Sequence, residues 1–256
     1  MTYIPEFLEE TSWRSATPHE IRHSKIQFGR SLDYYRKRIE AIGFTKMNSV
    51  VDVACGCGQW TIPLDEYNGL VTGFDYSMGL LEVAGKAADY FHRSHIEFMR
   101  GDFHAIPFQS NSVDAVICYS AIYIAANEPI VVSEMCRILK PGGRLYLVSD
   151  GAGWPFYNLW ERGMKQRRIR SVLHAIKLWI RGVFWQRALG QYGRYYSFLT
   201  QPEVRHLMRA NGMAIEFFGA DGEYGNPDGK LFQPLYGKRY FGLPSDFELL
   251  ARKRVT

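Results

Sequence analysis

From residue 49 the chain alternates short apolar runs with segments of helical periodicity, and this alternation limits the possible folds more than any other feature. Strand-length runs that each lead into a helical pattern are typical of a parallel sheet covered by helices on both faces. We therefore predict a Rossmann-like, mostly parallel α/β sheet of seven strands. Its predicted strands are 49–54, 70–75, 95–102, 113–120, 144–150, 213–219 and 246–253.

Three further segments accompany this sheet domain, which is predicted to span 46–256 with a helical lid insertion at 151–199. Residues 1–45 are predicted to form an N-terminal helical cap. A long loop at 220–243 is rich in glycine, proline and aromatic residues. All three segments join the sheet domain at or near the carboxyl edge, so we expect them to cover that edge together.

The composition excludes several classes of protein. At 46% hydrophobic and 22% charged residues, the chain resembles neither a disordered chain nor a fibre or a coiled coil. No apolar run approaches the ~20 residues of a membrane span, and acids stand where a signal peptide needs its apolar core. The cysteines are too few for a disulfide scaffold and lack a partner pair for zinc: Cys55, Cys57, Cys118 and Cys136. A cytoplasmic location is expected.

Residues with ligand-binding chemistry follow several of the predicted strands, at the carboxyl edge where open α/β sheets bind ligands. Gly56 and Gly58 follow the first strand and let the backbone approach a ligand. Asp75 ends the second strand, where a carboxylate can take a ribose diol. Asp102 ends the third strand beside Phe103, so an acid can meet an adenine amino group while an aromatic ring stacks on the base.

The glycine turn also limits the type of ligand. A dinucleotide fingerprint needs a third glycine, and Thr61 stands at that position. The turn contains no basic residue that could meet a pyrophosphate, and the chain has no P-loop. These features favour a nucleoside-bearing ligand without phosphates over NAD.

Four sequence blocks, in this order, resemble the signature blocks of class I S-adenosylmethionine-dependent methyltransferases. The resemblance is strongest to the group that includes the ubiquinone and menaquinone-biosynthesis enzymes and many small-molecule methyltransferases. It departs from the family at Ala54 and Cys55, where glycine or another small residue is usual. The blocks are VVDVACGCGQWTIPL, GFDYSMGLLEVAGKAA, FMRGDFHAIPFQSNSVDAVICYSAIYIA and ILKPGGRLYLVS, which fall within about 47–150.

The resemblance implies S-adenosylmethionine as methyl donor, S-adenosylhomocysteine as product, and a role for each residue that matches a block. Asp75 would hold the ribose hydroxyls, and Asp102 with Phe103 would hold the adenine. Tyr119 would lie beside the sulfonium. The backbone around Ala54, Gly56 and Gly58 would line the methionine part, and Tyr76 and Met78 would pack near the adenosine.

The acceptor is less constrained than the donor. A sulfonium methyl is already activated, so a general base is needed only where the acceptor must lose a proton. Tyr123, His104 and His23 are the candidate catalytic residues. No metal is expected, because Cys118-Tyr119-Ser120 supplies no carboxylate after strand four.

We predict methyl transfer to a small-molecule, glycan or lipid-linked acceptor, with O-methylation as the favoured reaction. N- or C-methylation and an inactive cofactor-binding subunit are the alternatives.

The net charge of +5 is concentrated in one segment, because 161–194 contains nine basic side chains and the single acid Glu161. Within it, an apolar helical stripe is predicted at Ile169, Val172, Leu173, Ile176, Ile180, Val183 and Phe184, and a basic one at Arg170, His174, Lys177 and Arg181. The first interpretation is a lid helix that packs its apolar stripe on the sheet domain and leaves the basic stripe in solvent. The alternative is that the basic stripe meets an anionic acceptor or a membrane surface. No nucleic-acid-binding module is present in the sequence, and oligomeric state is not predicted.

Overall fold

The computed structural model of the chain describes residues 5–9, 12–184, 198–226, 228–231 and 237–255, with side chains in the helix that ends at Phe184 described up to Lys177. Among the residues named above, Ile180, Arg181, Val183 and Phe184 belong to that helix, but their side chains fall beyond this limit. The last basic residues of the 161–194 segment, Arg187 and Arg194, lie outside the described residues.

Seven strands form one sheet, as the alternating pattern predicts. Its order is β3-β2-β1-β4-β5-β9-β6, parallel from β3 to β5 and antiparallel where β9 pairs with β5 and β6. The strands are β1 Ser49–Val53, β2 Leu70–Asp75, β3 Glu97–Arg100, β4 Val113–Tyr119, β5 Leu139–Asp150, β6 Met213–Ala220 and β9 Asp246–Lys253, and a separate small hairpin contains β7 Arg239–Tyr240 and β8 Leu243–Pro244.

Helices pack on both faces of the sheet around two apolar cores. Several begin at residues that the sequence marks as caps: the Ser77 hydroxyl accepts from the Leu80 N–H, and Thr200 forms a capping box with Glu203. The helices are α1 Pro18–Phe28, α2 Leu32–Ile42, α3 Thr61–Asp65, α4 Met78–Tyr90, α5 Glu128–Ile138, α6 Trp154–Tyr157, α7 Ile169–Phe184 and α8 Gln201–Ala210, with a π-helical segment at Asn158–Lys165 between α6 and α7.

Several boundaries differ from the sequence prediction: β1, β4 and β6 by one residue each, and β3, which covers only Glu97–Arg100 of the predicted 95–102. Strand β5 begins at Leu139 instead of Arg144, because Leu139 already pairs with Val113 before the bulge that the Pro-Gly-Gly segment produces. The loop at 220–243 is not wholly irregular, because it contributes the short β7–β8 hairpin.

The first interpretation of the apolar stripe on α7 is wrong for three of its four described side chains. Ile169, Leu173 and Ile176 are 75%, 62% and 46% exposed. The helix packs instead through smaller residues: Ala175 is buried, and Val172 lies against Gly163 of the π-helical segment. Arg170 and His174, on an adjacent face of the helix, line a cavity, while Ile169, Leu173 and Ile176 are turned to solvent.

Candidate functional site

A cavity of about 710 Å³, here called the main cavity, opens at the carboxyl edge of the sheet. One wall comes from the glycine turn and the ends of β2, β4 and β5. The other comes from α1, the α6–α7 insertion and the 3₁₀ turn after β4. The residues that line the main cavity include His19, Glu20, His23, Ala54, Gly56, Asp75, Tyr76, Tyr119, Tyr123, Asp150, Arg162, Arg170 and His174.

The carboxylate of Asp75 is the best-positioned acid of the cavity. Its Oδ2 accepts the backbone N–H of Gly56 at 2.8 Å, and its Oδ1 accepts that of Ser77 at 2.8 Å. Burial raises the pKa of this carboxyl above its ordinary value, while the backbone bonds lower it. A carboxylate offers about four acceptor positions, so two remain for the hydroxyls of a diol.

An apolar slot of about 50 Å³ continues from the main cavity past Asp75. Phe103 and Gly101 form its far end, and it shares Ala54 and Tyr76 with the main cavity. Phe103 is nearly buried, whereas Tyr76 is half exposed at the mouth. The slot therefore offers aromatic surface on the side of Asp75 where a base attached to a bound ribose would lie.

The two predicted glycines have different roles. Gly56 lines the main cavity with φ +58°, and a Cβ there would meet only the Gln59 side chain at 3.7 Å. Gly58 also has positive φ, +82°, but a Cβ there would lie 3.3 Å from Ala84 on α4. Gly58 therefore lets the turn pack against the helix and does not face the main cavity.

The structure separates Met78 and Asp102 from the other predicted cofactor residues. Met78 lines a different surface depression, beside Trp13 and Arg100. Asp102 follows Gly101, and its Oδ1 accepts from the backbone N–H of His104 at 2.9 Å and lies 2.7 Å from its Nδ1. Tyr119 does line the main cavity.

The three candidate catalytic residues also lie in different places. His104 is not among the residues that line the main cavity, because its Nδ1 faces Asp102 and its Nε2 accepts the N–H of Asn127 at 3.2 Å. His23 and Tyr123 do line it. Burial lowers the pKa of His23, and the neighbouring His19 lowers it further.

A buried polar network beneath the main cavity is missed by the sequence reasoning. Arg38 on α2 is fully buried and donates to Asp221 at 2.8 Å and to Glu248 at 3.1 Å. It also donates to Tyr119 Oη at 3.2 Å, and that hydroxyl donates to Asp221 at 3.0 Å. The network fixes the ring of Tyr119 in the cavity wall. No local pattern marks Arg38, because its partners Tyr119, Asp221 and Glu248 lie 81 to 210 residues away.

On the side of the main cavity that the insertion forms, basic side chains lie near one buried acid. Arg162, Arg170 and His174 line it from the insertion, and Asp150 lines it from the end of β5. Asp150 ends a strand in the same way as Asp75, which is the signal that could have identified it. Within the described part of the chain, no group of three or more histidine, cysteine or acidic side chains could hold a metal ion.

Comparisons with known proteins show similarity to methyltransferases in sequence and in fold. The family model described as "Methyltransferase domain" matches residues 51–147, which contain the glycine turn and the strand ends after β1 to β4. Demethylmenaquinone methyltransferase of Lactococcus lactis is 33% identical over 115 residues, covering 44% of this chain and 46% of that protein. The chain thus matches about half the length of its curated relatives.

Solved structures share the fold across most of the chain. A SAM-dependent methyltransferase from Methanosarcina mazei superposes with a TM-score of 0.58 at 19% identity, over 82% of this chain and 94% of that one. Magnesium protoporphyrin IX methyltransferase from Synechocystis, solved with bound SAH, gives 0.57 at 17% identity, over 97% and 92%. Residues 51–147 are thus similar in sequence to a methyltransferase domain, and the chain shares the fold of S-adenosylmethionine-dependent methyltransferases.

Proposed function

We propose that the protein transfers a methyl group from S-adenosylmethionine to a small-molecule acceptor. The observation that carries the proposal is the position of Asp75, fixed by two backbone N–H groups between the apolar slot and the main cavity. A nucleoside fits this arrangement, with its diol on Asp75, its base in the slot against Phe103 and its amino-acid tail along Gly56. Tyr119 would line the space where the methyl group is presented.

When bound, the donor supplies a methyl group on a positively charged sulfur, which an acceptor lone pair can displace. The protein's contribution is to align the acceptor with that methyl group and to exclude water. Arg162, Arg170 and His174 belong to the wall that the α6–α7 insertion forms. They lie across the main cavity from the glycine turn and would position the acceptor.

For the acceptor, we propose an anionic or partly ionised small molecule carrying a hydroxyl group, so that the reaction is an O-methylation. The two arginines and His174 favour an anionic group, because guanidinium groups pair with carboxylates and phosphates by charge-assisted hydrogen bonds. Tyr123 and Asp150 in the same wall can orient a hydroxyl. The relative from Lactococcus lactis acts on demethylmenaquinone by its name, which makes a quinone-like ring the first acceptor class to test.

We further propose that the protein works in the cytoplasm and contacts a membrane surface through α7. No helix of the described part of the chain is long and apolar enough to span a bilayer. The exposed Ile169, Leu173 and Ile176 instead form an apolar face, near the exposed cations Arg167, Arg168 and Lys177. Apolar side chains flanked by basic ones are the pattern of helices that lie in the interface of an anionic bilayer.

The test of the main function has two steps. Calorimetric titration with S-adenosylhomocysteine should give saturable binding, and incubation with labelled S-adenosylmethionine and a membrane-containing cell extract should give a methylated product. Mass spectrometry of that product identifies the acceptor atom as O, N or C. Binding without any product would favour an inactive cofactor-binding subunit, and absence of binding would contradict the proposal.

A further inference from the structure

Two buried carboxyl groups face each other beside the main cavity. Asp150 is the last residue of β5, Asp246 is the first of β9, and the two are register partners in the antiparallel ladder. Side chains of directly opposed residues lie on the same face of a sheet, with Cβ atoms roughly 5 Å apart. Asp150 is 3% exposed and Asp246 is 1% exposed.

One oxygen of each carboxyl group, Asp150 Oδ2 and Asp246 Oδ1, has no hydrogen-bond partner within the residues that the structure describes. The charged groups that face them are Arg162 from the π-helical segment and Asp221 from the residue after β6. The Asp221 backbone N–H donates to the Asp246 carbonyl oxygen at 3.0 Å, while its carboxylate accepts from Arg38 and adds negative charge near the Asp246 side chain.

These surroundings keep a proton on the pair. Burial raises the pKa of both carboxyl groups well above the ordinary value, and the neighbouring charge of Asp150 raises the pKa of Asp246 further. Arg162 has the opposite effect and lowers the pKa of Asp150. Two opposed buried carboxylates cannot both ionise at low cost, so the pair shares one proton, and Arg162 favours the negative charge that remains.

Only one member of the pair reaches the acceptor side. Asp150 lines the main cavity together with Arg162, whereas Asp246 is not among its lining residues. Asp150 borders the main cavity and its buried Oδ2 has no partner among the described residues, so a donor on a molecule that fills the cavity would satisfy this carboxyl group. A hydroxyl group is such a donor.

We propose that Asp150 is the general base of this methyltransferase for hydroxyl acceptors, and that Asp246 is a positioning residue that carries the shared proton. The inference rests on the proposed function and adds to it the chemical class of the acceptor group. The acceptor O–H proton passes to Asp150 as the oxygen lone pair forms a bond to the methyl carbon. The C–S bond breaks with its electron pair remaining on sulfur, and Asp150 later loses the proton to water.

The proton on the pair is tested without turnover, by infrared difference spectra of the protein saturated with S-adenosylhomocysteine. At neutral pH the wild-type protein should show the C=O stretch of a buried carboxylic acid. Asp52 is a second buried carboxyl with a raised pKa, so the spectra are compared in an Asp52→Asn background. There, Asp246→Asn should remove C=O intensity relative to the parent protein, whereas Asp33→Asn, at an exposed carboxyl on α2, should remove none. A spectrum in which Asp246→Asn removes no C=O intensity would overturn the proposal.

The role of Asp150 is tested with ring-substituted naphthols whose hydroxyl pKa values lie above and below the assay pH. Asp150→Asn should lower kcat at least about 100-fold for naphthols that are protonated at that pH, and far less for those already ionised. Affinity for S-adenosylhomocysteine should be unchanged, which reports a folded protein. An equal loss for both classes would assign Asp150 a structural role and overturn the inference. A wild-type protein that shows the infrared band but methylates no acceptor would instead refute the proposed function.

Discussion

The backbone N–H of Gly56 donates to the carboxylate of Asp75 at 2.8 Å, and this bond joins the glycine turn after β1 to the end of β2. The two residues are 19 positions apart in the chain, and parallel pairing of β1 with β2 brings them together. The turn therefore fixes the carboxylate that we propose holds the ligand.

Asp75→Ala should weaken binding of S-adenosylhomocysteine by ~1–3 kcal/mol, because two hydrogen bonds to a charged acceptor are lost. Calorimetric titration measures the change. Asp89→Ala, at an exposed carboxyl near the end of α4, is the matched control and should bind like the wild-type protein. An Asp75→Ala variant with unchanged affinity would show that this carboxylate does not hold the ribose.

Alanine at the two glycines should separate binding from stability. Both positions have positive φ, so each substitution costs ~1–2 kcal/mol of backbone strain. Gly58→Ala adds a close contact with Ala84 at 3.3 Å and should lower the free energy of unfolding more than Gly56→Ala does. Gly56→Ala should instead lower affinity for S-adenosylhomocysteine, because Gly56 lines the main cavity. Denaturant unfolding measures the stability of both variants, and calorimetry measures their affinity for S-adenosylhomocysteine. If Gly56→Ala were the less stable variant and Gly58→Ala the weaker binder, the roles given to the two glycines would be contradicted.

Much of the fold follows from the sequence because the strands are buried on both faces and read as continuous apolar runs. Strand β2 occupies the predicted 70–75, and β9 the predicted 246–253. The exposed face of α7 could not be predicted in the same way. Amphipathic periodicity gives two faces but not which one packs inward, and in this helix Arg170 and His174 turn toward the cavity.

The polar groups behind the site were harder to predict than those in the glycine turn. Asp75 ends a recognisable strand, whereas Arg38 and Glu248 are 210 residues apart and no motif connects them. Asp150 and Asp246 become a pair only through the antiparallel register of β5 and β9. Such long-range partners depend on tertiary structure, which sequence periodicity does not contain.

Asp52 should make stability depend on pH. Burial raises the pKa of this carboxyl to about 7, although Thr61 Oγ1 donates to it at 2.7 Å. In the unfolded chain the group ionises near its ordinary value, so the folded state binds more protons between about pH 4 and pH 7. Stability conferred by the protonated group is therefore lost as pH rises through that window.

Asp52→Asn removes this titration. From pH 5 to pH 8 the wild-type protein should lose ~2–3 kcal/mol of unfolding free energy relative to the variant. Urea unfolding at both pH values measures the difference, and Asp33→Asn provides an exposed-carboxyl control. A constant difference between wild type and Asp52→Asn across this range would show that Asp52 is ionised in the folded protein.

Methyl transfer should not depend on a metal ion. Alignment on a sulfonium donor needs no Lewis acid, and the described residues form no cluster of three metal-ligating side chains. Activity measured after dialysis against EDTA should equal that of the untreated protein. Loss of activity that magnesium restores would contradict this expectation.

The exposed face of α7 should bind anionic membranes. Three apolar side chains would enter the bilayer interface, while each nearby Lys or Arg adds ~1 kcal/mol at an anionic surface. Sedimentation with vesicles containing phosphatidylglycerol should therefore show binding at low salt that weakens as salt rises, with weaker binding to pure phosphatidylcholine.

Two variants separate the apolar from the electrostatic contribution. Ile169→Gln with Leu173→Gln should lower vesicle binding at least about tenfold at any salt concentration, since roughly 1.5–3 kcal/mol is gained for each large apolar side chain that is fully buried. Arg167→Glu with Arg168→Glu should abolish the salt-sensitive part of vesicle binding.

Ile26→Gln, at an equally exposed apolar residue on α1, is the control and should bind like the wild-type protein. Because none of these residues lines the main cavity, affinity for S-adenosylhomocysteine should be unchanged in all three variants. Wild-type protein that fails to sediment with anionic vesicles at low salt would show that this face does not meet a membrane.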